Sequence, residues 1–180
     1  MSKKVLVLSS SPRRRGNSDL LCDQFVEGAQ EAGNQAEKNS LKDKKINYCT
    51  GCGTCINNKG KSCPQKDDMP EVLEKMVTAD VIVMATPVYF YSIWAQMKTL
   101  IDRTCSRYTE IRDKEFYFIL TAADNNKQAM ARTLEDFRGF AICLDGAKEK
   151  GIVYGTGAWN IGDIQTSAAM QQAFEMGKAV

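Results

Sequence analysis

Short apolar runs alternate along this chain with segments of helical periodicity, and that alternation restricts the fold more than any other feature. VLVLS at 5–9, VIVMA at 81–85, EFYFILTA at 115–122 and GIVYGTG at 151–157 read as strands. The weaker QAEKNSL at 35–41 suits a sheet edge. VIVMA is apolar throughout, as a strand buried on both faces requires, and Thr86 and Pro87 close it. Helical spacing fills the gaps. Leu21, Phe25 and Ala32 form one stripe from about Ser18, with Gly33 as its stop; Ile93, Met97, Leu100 and Ile101 form another within 92–103. Met130, Leu134, Phe137, Ala141 and Leu144 form a third, and Asp163 to about Lys178 the last. Strands joined through helices need right-handed crossovers, which give a parallel sheet covered on both faces.

Five strands with polar or Gly-rich loops at their carboxyl ends suit an α/β three-layer sandwich of flavodoxin-like order, 2-1-3-4-5. In such a sheet a ligand sits outside the carboxyl ends, at the switch point between strands one and three. The loops expected there are 9–18, 86–92 and 121–126. No repeat, low-complexity tract or second-domain boundary interrupts the pattern, so residues 1–180 read as a single domain. About thirty residues, roughly 43–70, are inserted before the helix of DDMPEVLEKM; loops that long are usually functional.

Composition narrows the chemistry by exclusion. A formal net charge of +2 is too small to argue for a nucleic-acid partner. The chain has no histidine, which removes His-based triads, His metal ligands and a His general base. Lys3 and Lys4 precede an apolar run as in a signal peptide, but Val5 to Leu8 is far short of an export or spanning segment. The expectation is a cytoplasmic protein with no membrane partner. There thiols stay reduced, and clustered cysteines signal metal or redox work.

SSSPRRRGNSDLL runs from a strand end into a helix N-terminus, where free N–H groups and the helix dipole favour an anion. Ser11, Asn17 and Ser18 add donors, Arg13 adds charge, and Gly16 permits close backbone approach: a phosphate seat. The competing reading is a solvated Arg-rich turn in which Asn17 or Ser18 simply caps the helix. TPVYFYSIWAQMKTLIDR then places Tyr89, Phe90 and Tyr91 at the sheet's carboxyl edge. A planar ring system suits that surface, with backbone groups of 87–90 on its polar edge; core or subunit packing would use the same aromatics.

Four of the seven cysteines fall at Cys49, Cys52, Cys55 and Cys63. C-x-x-C-x-x-C lets one short turning segment direct three thiolates at a single centre. Cys63 precedes Pro64, like the C-P ending of bacterial ferredoxin ligand runs. A [4Fe–4S] cluster, zinc, disulfides, or thiols that shape a loop without metal are all compatible with this spacing. Cys22, Cys105 and Cys143 lie in or beside helices and read as packed apolar residues.

Several of these segments resemble one family in order. SPRRRGNS is similar to the S-P-R-x-x-G-N-[ST] phosphate loop of the NADPH-dependent FMN reductase family. PVYFYSIWAQMKTLIDR is similar to its P-V-Y-F…Q-x-K-x-x-x-D-R segment, CTGCGTC…C…KDDM to its C-x-G-C-x-x-C…K-D-D-M segment, and GAWNIGDI to its late Gly-Asp loop. The resemblance runs from residue 5 to about 165 and points to the branch that includes iron–sulfur flavoproteins.

That resemblance implies bound FMN, NAD(P)H as co-substrate, and a homodimer or homotetramer. It places Ser11, Arg13, Asn17 and Ser18 on the FMN phosphate and Pro87, Val88, Tyr89 and Phe90 against the isoalloxazine. TAADNN at 121–126 departs from the family's T-A-G-G-like turn. Ala122 and Ala123 remain small enough for close approach to the cofactor, whereas Asp124 changes the local charge or the access of a nicotinamide. Lys98, Asp102 and Arg103, also in the signature, are expected to be structural, the first two as an i,i+4 pair. The implied activity is an FMN-dependent oxidoreductase moving electrons between a reduced donor and a small-molecule or protein acceptor. A cluster on Cys49, Cys52, Cys55 and Cys63 would pass single electrons to or from the flavin. The alternative is a non-enzymatic electron carrier; flavodoxin carriers are typically acidic, and an isoelectric point near 8.1 weighs against it.

Overall fold

The computed structural model describes residues 2–57 and 63–180. In chain order the elements are β1 (Lys4–Ser9), α1 (Asn17–Glu31), β2 (Gln35–Ser40), α2 (Thr54–Asn57), α3 (Met69–Thr78) and β3 (Val81–Tyr89). They continue with β4 (Ser92–Ile93), α4 (Ala95–Arg103), β5 (Glu115–Thr121), α5 (Ala131–Ala141), β6 (Lys148–Gly155) and α6 (Ala168–Lys178). The long strands pair in parallel in the order β2-β1-β3-β5-β6, which is the expected 2-1-3-4-5 order of crossover strands. The fold is flavodoxin-like.

Side-chain alternation along the strands feeds a core on each face. Leu6, Leu8, Ile82, Met84, Phe116 and Phe118 point to one side, where they meet Met76 of α3, Met97 and Leu100 of α4, and Phe137 of α5. Val5, Val7, Val81, Val83 and Ile119 point to the other, against Leu21 and Phe25 of α1 and Ala169 and Ala173 of α6. The α1–α6 contact is unusually close: a Cβ on Gly28 would stand 2.0 Å from the Phe174 carbonyl oxygen, and one on Gly177 would stand 2.1 Å from that of Phe25. Backbone touches backbone there, which glycine alone allows.

Three boundaries differ from the sequence expectation. β3 does not stop at Thr86–Pro87 but continues to Tyr89. The Ala85 carbonyl accepts from Ser10 N–H across to β1, so Pro87, two residues on, faces the same side, where β1 has already ended. Its missing N–H therefore costs no ladder bond. Ser92 and Ile93, expected to open a helix, form the short antiparallel strand β4 on Val88 and Tyr89. The stretch expected to begin the last helix at Asp163 is a 3₁₀ turn, Asp163–Thr166, with α6 starting after the Ser167 cap. Among the described residues no helix is long and apolar enough to cross a membrane.

Candidate functional site

A cavity of about 460 Å³ opens at the carboxyl ends of β1, β3 and β5, the switch point of the sheet. Its walls come from three loops, and they include every residue expected to face a flavin: Ser11, Arg13, Gly16, Asn17, Ser18, Pro87, Val88, Tyr89, Phe90, Ala122 and Ala123. Another cavity, of about 470 Å³, lies at the amino-terminal edge of β1 and β2 beside Lys75 and Thr78 of α3. It borders the C-terminal ends of α1 and α3, where the helix dipoles disfavour an anion.

The first loop is a tight turn. Ser11 Oγ donates to the Arg13 carbonyl (2.9 Å) and accepts from Arg13 N–H (3.2 Å), and Gly16 N–H donates to the same carbonyl (3.0 Å). Arg15 takes a left-handed φ of 52° to complete the bend into α1. Gly16 caps α1 without a side-chain acceptor, so among the described residues the first-turn N–H groups receive no side-chain bond from their N-cap. Ser18 Oγ, in that first turn, is buried and has no hydrogen-bond partner among the described residues. Buried hydroxyls are ordinarily satisfied.

Arg13 and Asn17 are used differently from one another. The exposed Arg13 guanidinium donates to the Trp159 carbonyl (2.9 Å), which holds it at the cavity rim. The Asn17 carboxamide serves the late loop: Nδ2 donates to the carbonyls of Ala158 (3.2 Å) and Asn160 (2.8 Å), while Oδ1 accepts from the N–H groups of Gly162 and Ile164. Its side chain is thus a latch on residues 158–164, leaving its backbone to face the cavity. Ala158 and Trp159 consequently line the cavity with Pro12 and Thr121, contributions the sequence reading did not assign. The GAWNIGDI segment marked that loop as notable without placing it here.

Phe90 (φ 49°) and Tyr91 (φ 63°) form a two-residue hairpin turn between β3 and β4. Positive φ at both positions is the geometry of a turn that normally selects Asn-Gly. Ser92 Oγ (2.7 Å) and Ile93 N–H (3.2 Å) both donate to Asp136 of α5 and pin the hairpin. Phe90 is 98% exposed, and Tyr89 packs on Trp94 with ring centroids 4.4 Å apart. In the third loop Ala122 N–H donates to the Gly155 carbonyl (2.9 Å) and the Ala122 carbonyl accepts from Ala158 N–H (2.8 Å). The Asp124 carboxylate turns back to accept from Asn126 N–H (2.7 Å) and does not line the cavity.

The cysteine segment leaves β2 and returns at α3. Cys49 and Cys52 are exposed, Cys55 and Cys63 are half-buried, and all seven cysteines are free thiols. Hydrogen bonds from Thr54 lower the Cys52 thiol below its usual range. Among the described residues no group of three or more Cys, Asp or Glu side chains is gathered at a metal-binding geometry; residues 58–62, between Cys55 and Cys63, lie outside them. Cys22 is fully buried, as expected. Cys105 and Cys143 are exposed, against the expectation of packed apolar residues. Partial burial raises the Cys105 thiol, and the neighbouring Cys55 and Cys49 raise it further. It sits in the 3₁₀ turn Thr104–Ser106 just beyond α4, and that turn packs against α2. Lys98 and Asp102 form the expected exposed pair. Arg103 is instead buried, in a bidentate pair with Asp67.

Residues 3–147 match the family described as NADPH-dependent FMN reductase. The chain belongs to that family. It is 34% identical over 140 residues to an iron–sulfur flavoprotein of Methanocaldococcus jannaschii, covering 74% of this chain and 70% of that protein. It is 43% identical over 100 residues to an iron–sulfur flavoprotein of Archaeoglobus fulgidus, covering 56% of this chain and 44% of the relative. The chain spans about half the length of several curated relatives it matches. An azoreductase of Bacillus anthracis superposes over 100% of both chains with a TM-score of 0.75 at 17% identity, a likeness of fold. In this chain the three loops described above enclose the cavity.

Proposed function

We propose that this chain is a single FMN-binding domain that works as an NAD(P)H-dependent oxidoreductase and passes electrons to a small-molecule or protein acceptor. The observation that carries the reading is Ser18 Oγ: a buried hydroxyl with no partner among the described residues, in the first turn of a helix whose N-cap supplies no side-chain acceptor. An anionic phosphate is the group that such a place accepts. The fit extends beyond the phosphate, since Tyr89 and Phe90 offer aromatic surface beside the small residues Ala122 and Ala123.

Each group has an assigned task. Ser11, Ser18, the first-turn N–H groups of α1 and the Arg13 guanidinium hold the phosphate. Asn17 positions the 158–164 loop, and through its backbone the phosphate seat. Pro87, Val88, Tyr89 and Phe90 orient the ring system and exclude water from one side. FMN held there would supply the redox chemistry between a nicotinamide donor and the acceptor. No protein side chain need carry a proton for that chemistry, which accords with the absence of histidine.

The four thiols Cys49, Cys52, Cys55 and Cys63 are the proposed ligands of a [4Fe–4S] cluster. They fit by donor chemistry: four unpaired soft ligands in one segment, with the names of the similar iron–sulfur flavoproteins in support. A cluster there would supply single-electron transfer. We place the protein in the cytoplasm, as a dimer or tetramer formed through the exposed aromatic surface of Phe90, Tyr91 and Trp159.

Fluorescence titration of the purified protein with FMN tests the cofactor, and oxidation of NADH or NADPH by the loaded protein tests the activity. Saturable FMN binding with nicotinamide turnover is the expected result. A chain that binds no FMN refutes the assignment; one that binds FMN but never turns over nicotinamide is a carrier.

A further inference from the structure

We propose that Arg103 is the positioning residue of the cysteine segment: its buried guanidinium ties the two ends of residues 47–67 together and reserves its Nε–H for the sulfur of Cys63. The Arg103 and Asp67 side chains are 1% and 0% exposed. Arg103 Nη1 donates to Asp67 Oδ2 (2.7 Å) and Nη2 to Oδ1 (3.1 Å), and Nη1 also donates to the Asn47 carbonyl (2.6 Å). Asp67 is shared in turn: Asn47 N–H (3.0 Å) and Nδ2 (3.2 Å) donate to Oδ2, and Met69 N–H donates to Oδ1 (3.1 Å). One charge pair therefore closes the base of the loop that bears all four clustered cysteines.

A bland reading, in which Arg103 merely fastens α4 to a neighbouring loop, leaves one atom unexplained. Arg103 Nε is buried and has no partner among the described residues. A buried donor on a charged group is expensive to leave unmade. Burial works against the Arg103 charge, whereas Asp67 and, more weakly, Cys63 favour it. A thiolate sulfur is the acceptor that would satisfy Nε, and donors to a ligating sulfur both orient it and raise the reduction potential of what it binds. Lysine cannot replace this arrangement, because it lacks the planar fork that serves Asp67, Asn47 and Cys63 together. The bond to Cys63 rests on the cluster reading proposed above; the clamp between Asn47 and Asp67 does not.

Arg103→Gln and Arg103→Lys test the two parts separately. Hydrogen exchange is read in the FMN-loaded protein without iron. The expected result in R103Q is exchange at the Asn47 and Met69 amides faster by about tenfold, with FMN affinity held near wild type to confirm the fold. Unchanged exchange at both amides overturns the clamp. Anaerobic reconstitution with ferrous iron and sulfide is then followed by metal analysis and electron paramagnetic resonance at controlled potential. R103Q should lose most of its iron, whereas R103K should retain iron with a more negative midpoint potential than wild type. A midpoint potential identical in R103K and wild type overturns the bond to Cys63. A wild-type protein that takes up no iron removes the cluster reading and the Cys63 bond with it, while the exchange result still decides the clamp. Should R103Q fail to fold, R103K carries the exchange measurement.

Discussion

A methyl group on Gly16 would stand 2.3 Å from the Ser11 hydroxyl oxygen. It would also stand 3.0 Å from the Arg13 carbonyl, so neither side of the turn has room. Gly16→Ala must open the loop that shapes the proposed phosphate seat. Overpacking of this kind costs about 1–3 kcal/mol. We expect FMN affinity to fall by about tenfold or more, measured by fluorescence titration; unchanged affinity would remove this loop from the binding site.

Arg13→Ala should weaken FMN more than riboflavin, because the proposed role of its charge is to hold the phosphate. A charge-assisted bond contributes about 1.5–3 kcal/mol, and the exposure of Arg13 argues for the lower end, about tenfold. Parallel titrations with both ligands decide it. Equal losses would mean that Arg13 acts only through its bond to the Trp159 carbonyl.

Ser18→Ala separates binding from stability. Removing a buried hydroxyl that has no partner among the described residues relieves an unmet desolvation cost, so the ligand-free variant should be as stable as wild type or more so by about 1 kcal/mol. FMN affinity should drop while riboflavin affinity holds. A destabilised ligand-free variant in urea denaturation would show that the hydroxyl has a structural partner after all.

Replacing Phe90–Tyr91 with Asn-Gly should stabilise the chain. Each left-handed non-glycine residue costs roughly 1–2 kcal/mol, which the substitution relieves. The same change deletes the aromatic surface beside the cavity, so self-association and FMN affinity should both weaken. Sedimentation and thermal melting read the two effects. A less stable variant would refute the strain argument.

Stability should decline in acid. Burial works to raise the Asp67 carboxyl, but the Arg103 bonds and the N–H groups of Asn47 and Met69 outweigh it and hold it below its ordinary 3.8. Arg138 likewise holds Glu149 below its ordinary 4.5. Folded values below unfolded ones give stability that is complete above the unfolded values and is lost as pH falls through the folded ones. The free energy of unfolding in urea should therefore be level from about pH 7 to about pH 5 and fall below about pH 4, with a shallower fall in Glu149→Gln. A level profile down to about pH 3 would contradict this account.

Periodicity carried the architecture, because VLVLS, VIVMA and, after the part-buried Glu115, FYFILTA are buried along their length. It failed at β4, two residues long, whose hairpin uses Phe and Tyr where turn chemistry favours Asn and Gly. The cavity-lining residues were legible as loops at strand ends. What those loops share was not: Asn17 spends its carboxamide on partners more than a hundred residues away, and only the folded chain brings Ala158 and Trp159 to the cavity. Arg103 was legible as part of a signature. Its burial against Asp67 was not, since no local pattern announces a charge pair spanning 36 positions. Cys105 and Cys143 followed the same logic in reverse: helical neighbours suggested packing, and the faces they occupy look outward.

The glycine contact between α1 and α6 has a mechanical side. Gly28 and Gly177 bring two backbones together with no side chain between them to yield, so α1 cannot slide along its axis unless α6 moves with it. α1 begins at the proposed phosphate seat and is about 22 Å long at 1.5 Å per residue. The last helix lies beyond residue 147, where the family match ends, yet it acts as a splint for the loop at the opposite end of α1. Sequence drift along that splint can retune the cavity without altering a single residue that lines it.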